Sequence, residues 1–210
     1  MKSYPVPNFE YSYVSDNAHA EMPIAGVDEV GRGALFGPVV AAVVCLPLSQ
    51  CQQLQALGVC DSKQLSAKKR RELALMIPAI ATDVRIGYAT VKEIDRLNIL
   101  QASLLAMKRA ILKLDLTPEL CLIDGKFPIP HLEISQQTII GGDRQSSAIA
   151  AASIIAKVWR DELIARFAQK YSHYDLAANK GYGTKRHRQG IEKYGISPQH
   201  RSSFKLRNRE

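Results

Sequence analysis

The chain has 210 residues, 46% of them hydrophobic, which fits one large domain with a sizeable core and at most a small appendage. No apolar run approaches the roughly 20 residues that a membrane-spanning helix requires, and residues 1–22 contain no apolar block typical of a signal peptide. We therefore expect no membrane-spanning segment, and the formal net charge of +8 favours an anionic partner, nucleic acid first.

Hydrophobic periodicity, together with the positions of Gly and Pro, predicts alternating strands and helices after a polar, extended lead-in over residues 1–22. In chain order the predicted elements are strands at 24–29 and 39–46, helices at 50–57 and 66–80, a strand at 84–91, helices at 92–97 and 99–114, strands at 120–123 and 132–140, a helix at 146–170, an irregular stretch at 171–182 and a helix at 187–194. This order predicts an α/β fold in which helices cover both faces of a mixed sheet.

The basic residues are concentrated at the C-terminal end. From residue 180 to residue 210, nine Lys and Arg oppose two Glu, so this stretch carries seven of the eight excess positive charges. We expect Lys185, Arg186 and Arg188 to contact phosphates without reading sequence, and residues 207–210 to be a solvated tail.

The four cysteines include no CxxC pair, and no histidine stands at the spacing of a zinc site. Cys45 and Cys121 fall within apolar, strand-like runs. We therefore expect reduced thiols, a cytoplasmic protein and no structural zinc.

An acidic pair stands just before a glycine-rich turn. Asp28 and Glu29 end an apolar run, and Gly31, Arg32 and Gly33 follow. A bare Asp-Glu pair is most often an exposed turn, but carboxylates at the end of a buried strand need a positive partner, and their oxygens suit Mg²⁺. Because glycine lets a backbone approach another molecule closely and arginine suits phosphate, the combination predicts chemistry on a phosphodiester.

Two further acids stand in a similar context. Asp124 ends an apolar run, and Asp143 lies between a Gly-Gly turn and an alanine-rich helix. Taken singly, Asp124 is most simply a turn residue and Asp143 a helix N-cap. Polar groups at strand ends line a common crevice in α/β sheets, so both could instead converge with Asp28 and Glu29. Two Mg²⁺ or Mn²⁺ ions would then cancel the repulsion and hold the attacking and leaving oxygens of an in-line displacement.

Two other functions stay open at this point. A nucleic-acid-binding protein without catalytic activity would explain the charge and the Gly-Arg-Gly turn, but not several acids beside a phosphate-binding face. Another phosphoryl-transfer enzyme on a similar fold, such as a relative of the sugar kinases, would need a glycine-rich nucleotide-binding signature that the sequence lacks. A magnesium-dependent cleavage assay separates the binding protein from an enzyme.

Several motifs, in order along the chain, resemble those of the ribonuclease HII family. They are GVDEVGRGALFGPVV at 26–40, DSK at 61–63, DG at 124–125, GD at 142–143, IAAASIIAKVWRD at 149–161, NKGYGT at 179–184 with His187, and HRSSF at 200–204. The resemblance implies a ribonuclease H-like fold, with a five-stranded mixed sheet flanked by helices. It also implies a catalytic domain at 23–171 and a basic helical C-terminal segment at 172–210.

The resemblance implies an activity as well. Members of the family hydrolyse RNA in RNA–DNA hybrids and cut duplex DNA 5′ to embedded ribonucleotides. Cleavage by two-metal-ion catalysis with Mg²⁺ or Mn²⁺ should leave 5′-phosphate and 3′-hydroxyl ends. We expect both nucleic acids as partners, no membrane, and a monomer.

The resemblance gives the four acids one shared role, that of catalytic metal ligands: Asp28, Glu29, Asp124 and Asp143. Three positions depart from the family pattern, and none of them removes a ligand. Phe36 replaces a commonly small residue and puts the packing near the Gly-Arg-Gly turn in question. Gly141 and Gln145 stand where lysine is frequent, so Gly141 is expected to weaken substrate binding slightly by removing a positive charge.

Other positions match substrate-binding residues of the family. Gly31, Arg32 and Gly33 match the loop that senses the ribonucleotide and its junction with DNA. Tyr182 matches the tyrosine that stacks on the next sugar, and Lys63 matches a lysine near the substrate phosphates.

Three further residues inside the motifs are predicted to serve packing. Trp159 should pack on the helix face, and Ser153 should be a small helix-packing residue. His187 is more simply a packing residue than a phosphate contact, and both possibilities stay open.

Overall fold

The computed structural model describes residues 9–12 and 19–205, and a five-stranded sheet lies at its centre. Its strands are β1 (Pro23–Val30), β2 (Val39–Pro47), β3 (Asp83–Ala89), β4 (Leu120–Asp124) and β5 (Ser135–Ile139). Their order across the sheet is β3-β2-β1-β4-β5. β1, β2 and β3 pair antiparallel, whereas β4 runs parallel to β1 and β5 parallel to β4. The predicted mixed sheet is confirmed, and each predicted strand matches one of these five.

Helices accompany the sheet on both faces. Those of the described residues are α1 (Cys51–Ala56), α2 (Ala67–Met76), α3 (Val91–Leu97), α4 (Ile99–Ile111), α5 (Ser147–Lys170), α6 (Leu176–Asn179) and α7 (Lys185–Tyr194). Local capping sets several boundaries. The Ser66 hydroxyl accepts a hydrogen bond from Lys69 N–H before α2, and Gly195, with φ 77°, ends α7.

The sheet separates two hydrophobic clusters. α5 packs on one face against residues such as Ile24 and Leu46, and α4 packs on the other against Val27 and Val43. α5 lies unusually close to β1, because a Cβ on Gly26 would stand 2.1 Å from the Ala148 backbone. This contact explains why small, fully buried residues occupy most of the first two turns of α5, at Ser147, Ala148 and 150–152.

The stretch 171–182 was predicted to be irregular, and that prediction is wrong. It holds a 3-10 helix at Ser172–Tyr174 and the one-turn helix α6. Asp175 and Lys180 adopt positive φ values of 54° and 52°, which break the chain into pieces too short to show a hydrophobic period.

Phe36 fills the centre of a third cluster, where the C-terminal segment meets the rest of the chain. Its side chain is fully buried, with edge-on ring contacts to Phe167, Tyr171 and His200. An isolated β-bridge also joins Phe36 to His200. The large residue at this position therefore anchors the C-terminal segment.

Only part of the lead-in expected over 1–22 belongs to the described residues, and the tail expected at 207–210 lies outside them. Within the lead-in, Phe9–Ser12 form a 3-10 helix. The buried Glu10 carboxylate accepts hydrogen bonds from the backbone N–H and hydroxyl of Ser147, at 2.5 and 2.8 Å. The Glu10 side chain therefore caps the N-terminus of α5.

All four cysteines are free thiols. Burial raises the pKa of Cys45 to about 11 and that of Cys121 to about 12, so both are protonated at neutral pH. Among residues 9–12 and 19–205, no helix has the length and apolar character needed to cross a membrane.

Candidate active site

Three carboxylates meet where two neighbouring strands end. Asp28 and Glu29 lie near the end of β1, and Asp124 is the last residue of the parallel strand β4. The register aligns Val27 with Ile123, so the acids that follow these two residues stand side by side. Ligand oxygens of the three residues lie within 4.8 Å of one another. The sheet thus brings together acids that are nearly a hundred residues apart.

Asp143 lines the same cleft but stands outside this group of three. It lies in a 3-10 turn at Gly142–Arg144, and its Oδ2 is 3.5 Å from Lys63 Nζ. The turn contacts the other acids through Gly142 N–H, which donates to Asp124 Oδ1 at 2.7 Å. The simpler interpretation of Asp143 as a helix N-cap is wrong, because Ser146 caps α5 by accepting from Ile149 N–H.

Burial and mutual repulsion oppose ionisation of the clustered acids. The pKa of Asp28 is raised well above its ordinary value by burial, then by Glu29 and Asp124. Burial likewise raises the pKa of Glu29 and that of Asp124. Arg32 partly offsets the rise for Glu29, and Gly142 N–H partly offsets the rise for Asp124. A group of hard oxygen donors that resist carrying charge together is suited to a divalent cation. The residues present therefore fit a divalent-cation site.

Ser153 belongs to the site, contrary to its prediction as a packing residue. Its hydroxyl lies 3.0 Å from that of Ser62 and lines the cleft, where it lowers the pKa of Asp28 and so offsets part of the effect of burial. Three polar residues stand at helical spacing in an otherwise apolar stretch of α5: Ser153, Lys157 and Arg160. That polar stripe is a sequence signal from which they could have been found.

The DSK turn is held against the site by its own first residue. Asp61 is buried, and it accepts from Lys63 N–H at 2.9 Å and from Arg144 Nε at 3.2 Å. Lys63 itself is 78% exposed, so its ammonium group reaches over the cleft. The pKa of Lys63 is lowered by its partial burial, but Asp143 and Asp61 raise it above the ordinary value overall.

Two fully buried arginines support the Gly-Arg-Gly turn from beneath. Arg160 donates to the backbone carbonyls of Pro38, Lys180 and Phe36 at 2.9–3.1 Å. Arg201 donates to the carbonyls of Arg32 and Gly37 at 2.8 and 3.0 Å.

These arginines also carry charge beneath the turn. Burial, and next the neighbouring Arg160, lower the pKa of Arg201 to about 9, which leaves it cationic at neutral pH. HRSSF is among the matching motifs, but no pattern in the sequence assigned Arg201 a role.

Gly31 has no room for a side chain. With φ 91°, a Cβ would stand 2.2 Å from Arg160 Nε, whereas a Cβ on Gly33 would meet nothing within 4 Å. Arg32 is half-exposed, and its Nη1 lies 3.2 Å from Glu29 Oε1. The turn therefore presents a free edge at Gly33 and a guanidinium beside the acids.

Tyr182 lines the cleft next to the Gly-Arg-Gly turn. An isolated β-bridge joins it to Ala34, and its ring lies 5.9 Å from Lys157 Nζ and 5.7 Å from the Arg160 guanidinium carbon. The cleft has a volume of about 420 Å³ and is lined by the acids, the turn, Lys63, Ser153 and Tyr182.

The three basic residues predicted to contact phosphates lie outside this cleft. Lys185 and Arg186 are exposed on α7, and Arg186 lines a separate depression with Lys193. Arg188 donates to the carbonyls of Gly183 and Lys205, both at 3.2 Å.

Gly141 and Gln145, the two other departures from the motif pattern, shape the turn that carries Asp143. Gly141 adopts φ 66°, and Gln145 Nε2 donates to the Ile140 carbonyl at 2.8 Å. Both residues therefore have local structural roles.

Known proteins match the chain along most of its length. The family described as ribonuclease HII matches residues 25–207. A protein named ribonuclease HII from Trichodesmium erythraeum is 63% identical over 180 residues, which cover 86% of this chain and 85% of that relative.

Solved structures agree with the sequence match. Ribonuclease H2 from Pyrococcus horikoshii superposes with a TM-score of 0.77 at 29% identity, covering 88% of this chain and 95% of the other. Ribonuclease HII from Archaeoglobus fulgidus, solved in complex with PCNA, gives a TM-score of 0.75 at 29% identity, covering 89% and 97%. The chain thus belongs to the ribonuclease HII family of metal-dependent endoribonucleases, which act on RNA–DNA hybrids.

Proposed function

We propose that this chain hydrolyses RNA in RNA–DNA hybrids and also cuts duplex DNA 5′ to single embedded ribonucleotides, leaving 5′-phosphate and 3′-hydroxyl ends. The observation that carries the proposal is the group formed by Asp28, Glu29 and Asp124, whose oxygens lie within 4.8 Å of one another beside a glycine-rich turn. Acids alone would repel a nucleic acid, so this arrangement suits a cation-dependent reaction at a phosphodiester.

The proposed ligands of Mg²⁺ or Mn²⁺ are the four acids predicted from the sequence. When bound, such ions supply activation of water and stabilisation of charge on the phosphoryl oxygens. Asp28, Glu29 and Asp124 are already close together, and Asp143 would join them by exchanging its contact with Lys63 for a cation. Lys63, which is mostly exposed, would then be available to a substrate phosphate.

The Gly-Arg-Gly turn and Tyr182 would select the ribonucleotide. The open side of Gly33 lets the backbone come within hydrogen-bonding distance of a 2′-hydroxyl, the group that distinguishes RNA from DNA. Arg32 would contact the adjacent phosphate. A second 2′-hydroxyl on the following sugar would crowd the Tyr182 ring, so this tyrosine favours a step from RNA to DNA.

The decisive test is cleavage of a DNA duplex with one ribonucleotide, with and without Mg²⁺, by the wild type and by Asp28→Asn. We expect a single cut 5′ to the ribonucleotide by the wild type with Mg²⁺, and a loss of at least about a hundredfold in the variant. Products with 2′,3′-cyclic phosphate ends would contradict the proposal, since the 2′-hydroxyl would then act as nucleophile. Retained binding with no cleavage by the wild type would indicate a binding protein.

Several finer points stay predictions. They are the division into segments at 23–171 and 172–210, the monomeric state, the cytoplasmic location, and the phosphate contacts of Lys185, Arg186 and Arg188.

A further inference from the structure

Two buried histidines meet behind Tyr182, outside the cleft. His187 lies on α7 and His200 in the loop that follows, with exposed fractions of 0% and 3%. Their Nε2 atoms are 3.1 Å apart. His187 Nδ1 lies 2.9 Å from the Tyr182 carbonyl oxygen, and His200 Nδ1 lies 2.9 Å from both the backbone N and the hydroxyl of Ser197.

The backbone fixes the direction of every hydrogen bond in this series. Ser197 N–H can only donate, so His200 Nδ1 accepts and its single proton sits on Nε2. The Tyr182 carbonyl can only accept, so His187 Nδ1 carries the proton of the second ring. The bond between the rings therefore runs from His200 Nε2–H to His187 Nε2. Two neutral rings satisfy all these contacts, and an extra proton on either ring would break one of them.

The surroundings favour the neutral forms. Phe36 and Tyr174 pack against both rings, and burial is the main cause that lowers the pKa of His187 and, to about 4, that of His200. The charged groups that act on His187 are Arg188 and Asp175, of opposite sign. Neither histidine lines the cleft, so neither has a place in the metal chemistry.

The last hydrogen bond of this series holds the backbone of Tyr182, a residue that lines the cleft. The Tyr182 carbonyl accepts from His187 and from Thr184 N–H at 2.8 Å, while Gly181, just before it, accepts from Leu35 N–H of the opposite loop at 2.8 Å. The backbone of Tyr182 is thereby tied both to the loop beyond the Gly-Arg-Gly turn and to the buried histidines. A tyrosine that must stack on one sugar needs a fixed backbone, because displacements of about 1 Å already cost activity.

We propose that His187 and His200 are positioning residues for the known reaction: their bond holds the Tyr182 backbone so that its ring discriminates at the RNA–DNA junction. This inference rests on the proposed role of Tyr182. His200 acts only through His187, and His187 only through the Tyr182 carbonyl.

The test compares two substitutions of His200 that each keep one of its hydrogen bonds. An Asn amide reaches the position of Nδ1 and can still accept from Ser197, whereas a Gln amide reaches the position of Nε2 and can still donate to His187. The readout is the ratio of kcat/KM on a duplex with one embedded ribonucleotide to kcat/KM on a long RNA–DNA hybrid. We expect His200→Asn to lower this ratio about five- to tenfold and His200→Gln to keep it near the wild-type value.

The same ratio in a Tyr182→Ala background gives the control. There, His200→Asn should cause no further change, because its effect passes through Tyr182. A lower ratio for His200→Gln with a normal ratio for His200→Asn would overturn the inference, since His200 would then serve only the turn at Ser197. Equal losses on both substrates would overturn it too.

A second pair of variants covers the case in which His200→Asn does not fold. His187→Asn keeps the donor to the Tyr182 carbonyl but loses the bond to His200, so its ratio should fall about as far as that of His200→Asn, whereas His187→Leu loses both contacts and should fall further. A normal ratio for His187→Asn would overturn the inference. If Tyr182→Ala itself leaves the ratio unchanged, the proposed role of Tyr182 fails and the inference fails with it. A lowered ratio for Tyr182→Ala with normal ratios for all the histidine variants overturns the inference alone.

Discussion

At the scale of single residues, the clustered acids of the site repel one another when they are ionised. Asp28 is buried, and its carboxylate must ionise beside Glu29 and Asp124. Nearby donors such as Ser153 and Glu29 N–H relieve only part of this cost. The arrangement destabilises the metal-free protein at neutral pH, and a bound cation would remove the repulsion.

Asp28→Asn should therefore abolish cleavage and stabilise the metal-free protein. The amide oxygen can still accept from Glu29 N–H, which lies 2.6 Å from Asp28 Oδ1, while one of the crowded charges disappears. In EDTA at pH 7.5 we expect a gain of about 1 kcal/mol, or about 2–4 °C in Tm. Differential scanning calorimetry with EDTA and with Mg²⁺ checks this, since Mg²⁺ should raise the Tm of the wild type much more than that of the variant.

The exposed Glu133 supplies the control for exchanging an acid for an amide. Glu133→Gln should leave the wild-type Tm unchanged in EDTA and keep its response to Mg²⁺. A lower metal-free Tm for Asp28→Asn would show that the acids are not in net repulsion.

At the scale of elements, the Gly-Arg-Gly turn depends on segments far along the chain. Arg160 from α5 and Arg201 from the C-terminal segment hold five backbone carbonyls in the stretches 32–38 and 180. These buried guanidinium groups are stabilised by hydrogen bonds in a fixed geometry, three donated by Arg160 and two by Arg201. The turn thus has a rigid underside and a free outer edge.

This asymmetry predicts different effects for its two glycines. Gly31→Ala would drive a methyl group into the Arg160 guanidinium at a positive φ, so we expect a loss of about 1–3 kcal/mol in the free energy of unfolding. Gly33→Ala meets open space and should change that free energy by less than about 1 kcal/mol. Urea unfolding of the two variants decides the matter, and equal losses would contradict the described packing.

At the scale of the whole molecule, the excess positive charge is concentrated in the C-terminal segment, outside the acidic cleft. The net charge of +8 arises mostly from the last 31 residues, and α7 carries the exposed Lys185 and Arg186 outside the cleft. Such residues can bind the backbone of a duplex at a distance from the scissile bond, whereas Arg188 is committed to two backbone carbonyls.

The affinity for a duplex should accordingly fall steeply with salt. Replacing Lys185 and Arg186 by Gln should reduce the slope of log K against log[salt] by about 0.9 for each phosphate that is no longer neutralised, without changing which base step is cut. Fluorescence anisotropy across a salt series, with Mg²⁺ replaced by Ca²⁺, measures the slope. The control is Lys113→Gln. Lys113 follows α4, which packs on the opposite face of the sheet from α5. An unchanged slope in the double variant would remove α7 from the interface.

Local sequence signals determine the strands and main helices of the fold, and they also identify the acids of the site. The apolar run ending at Asp28, the N-cap Ser66 and the terminating Gly195 act within a few residues of themselves, so the sequence alone predicts the five strands and the main helices. Likewise, acids at strand ends predict a cation site, because the parallel pairing of β1 with β4 aligns those ends. Short pieces such as α6 escape prediction, since one turn is too short to show a period.

Only the tertiary structure decided which distant residues complete the site. It brings Ser153 to Asp28, sets Asp143 against Lys63, and places Arg201 beneath Arg32, 169 positions earlier in the chain. It also joins His187 to His200 behind Tyr182. No periodicity or spacing encodes such contacts, because they depend on how close α5 and the C-terminal segment pack against the sheet, and that closeness is set by the absence of a side chain at Gly26 and the fit around Phe36.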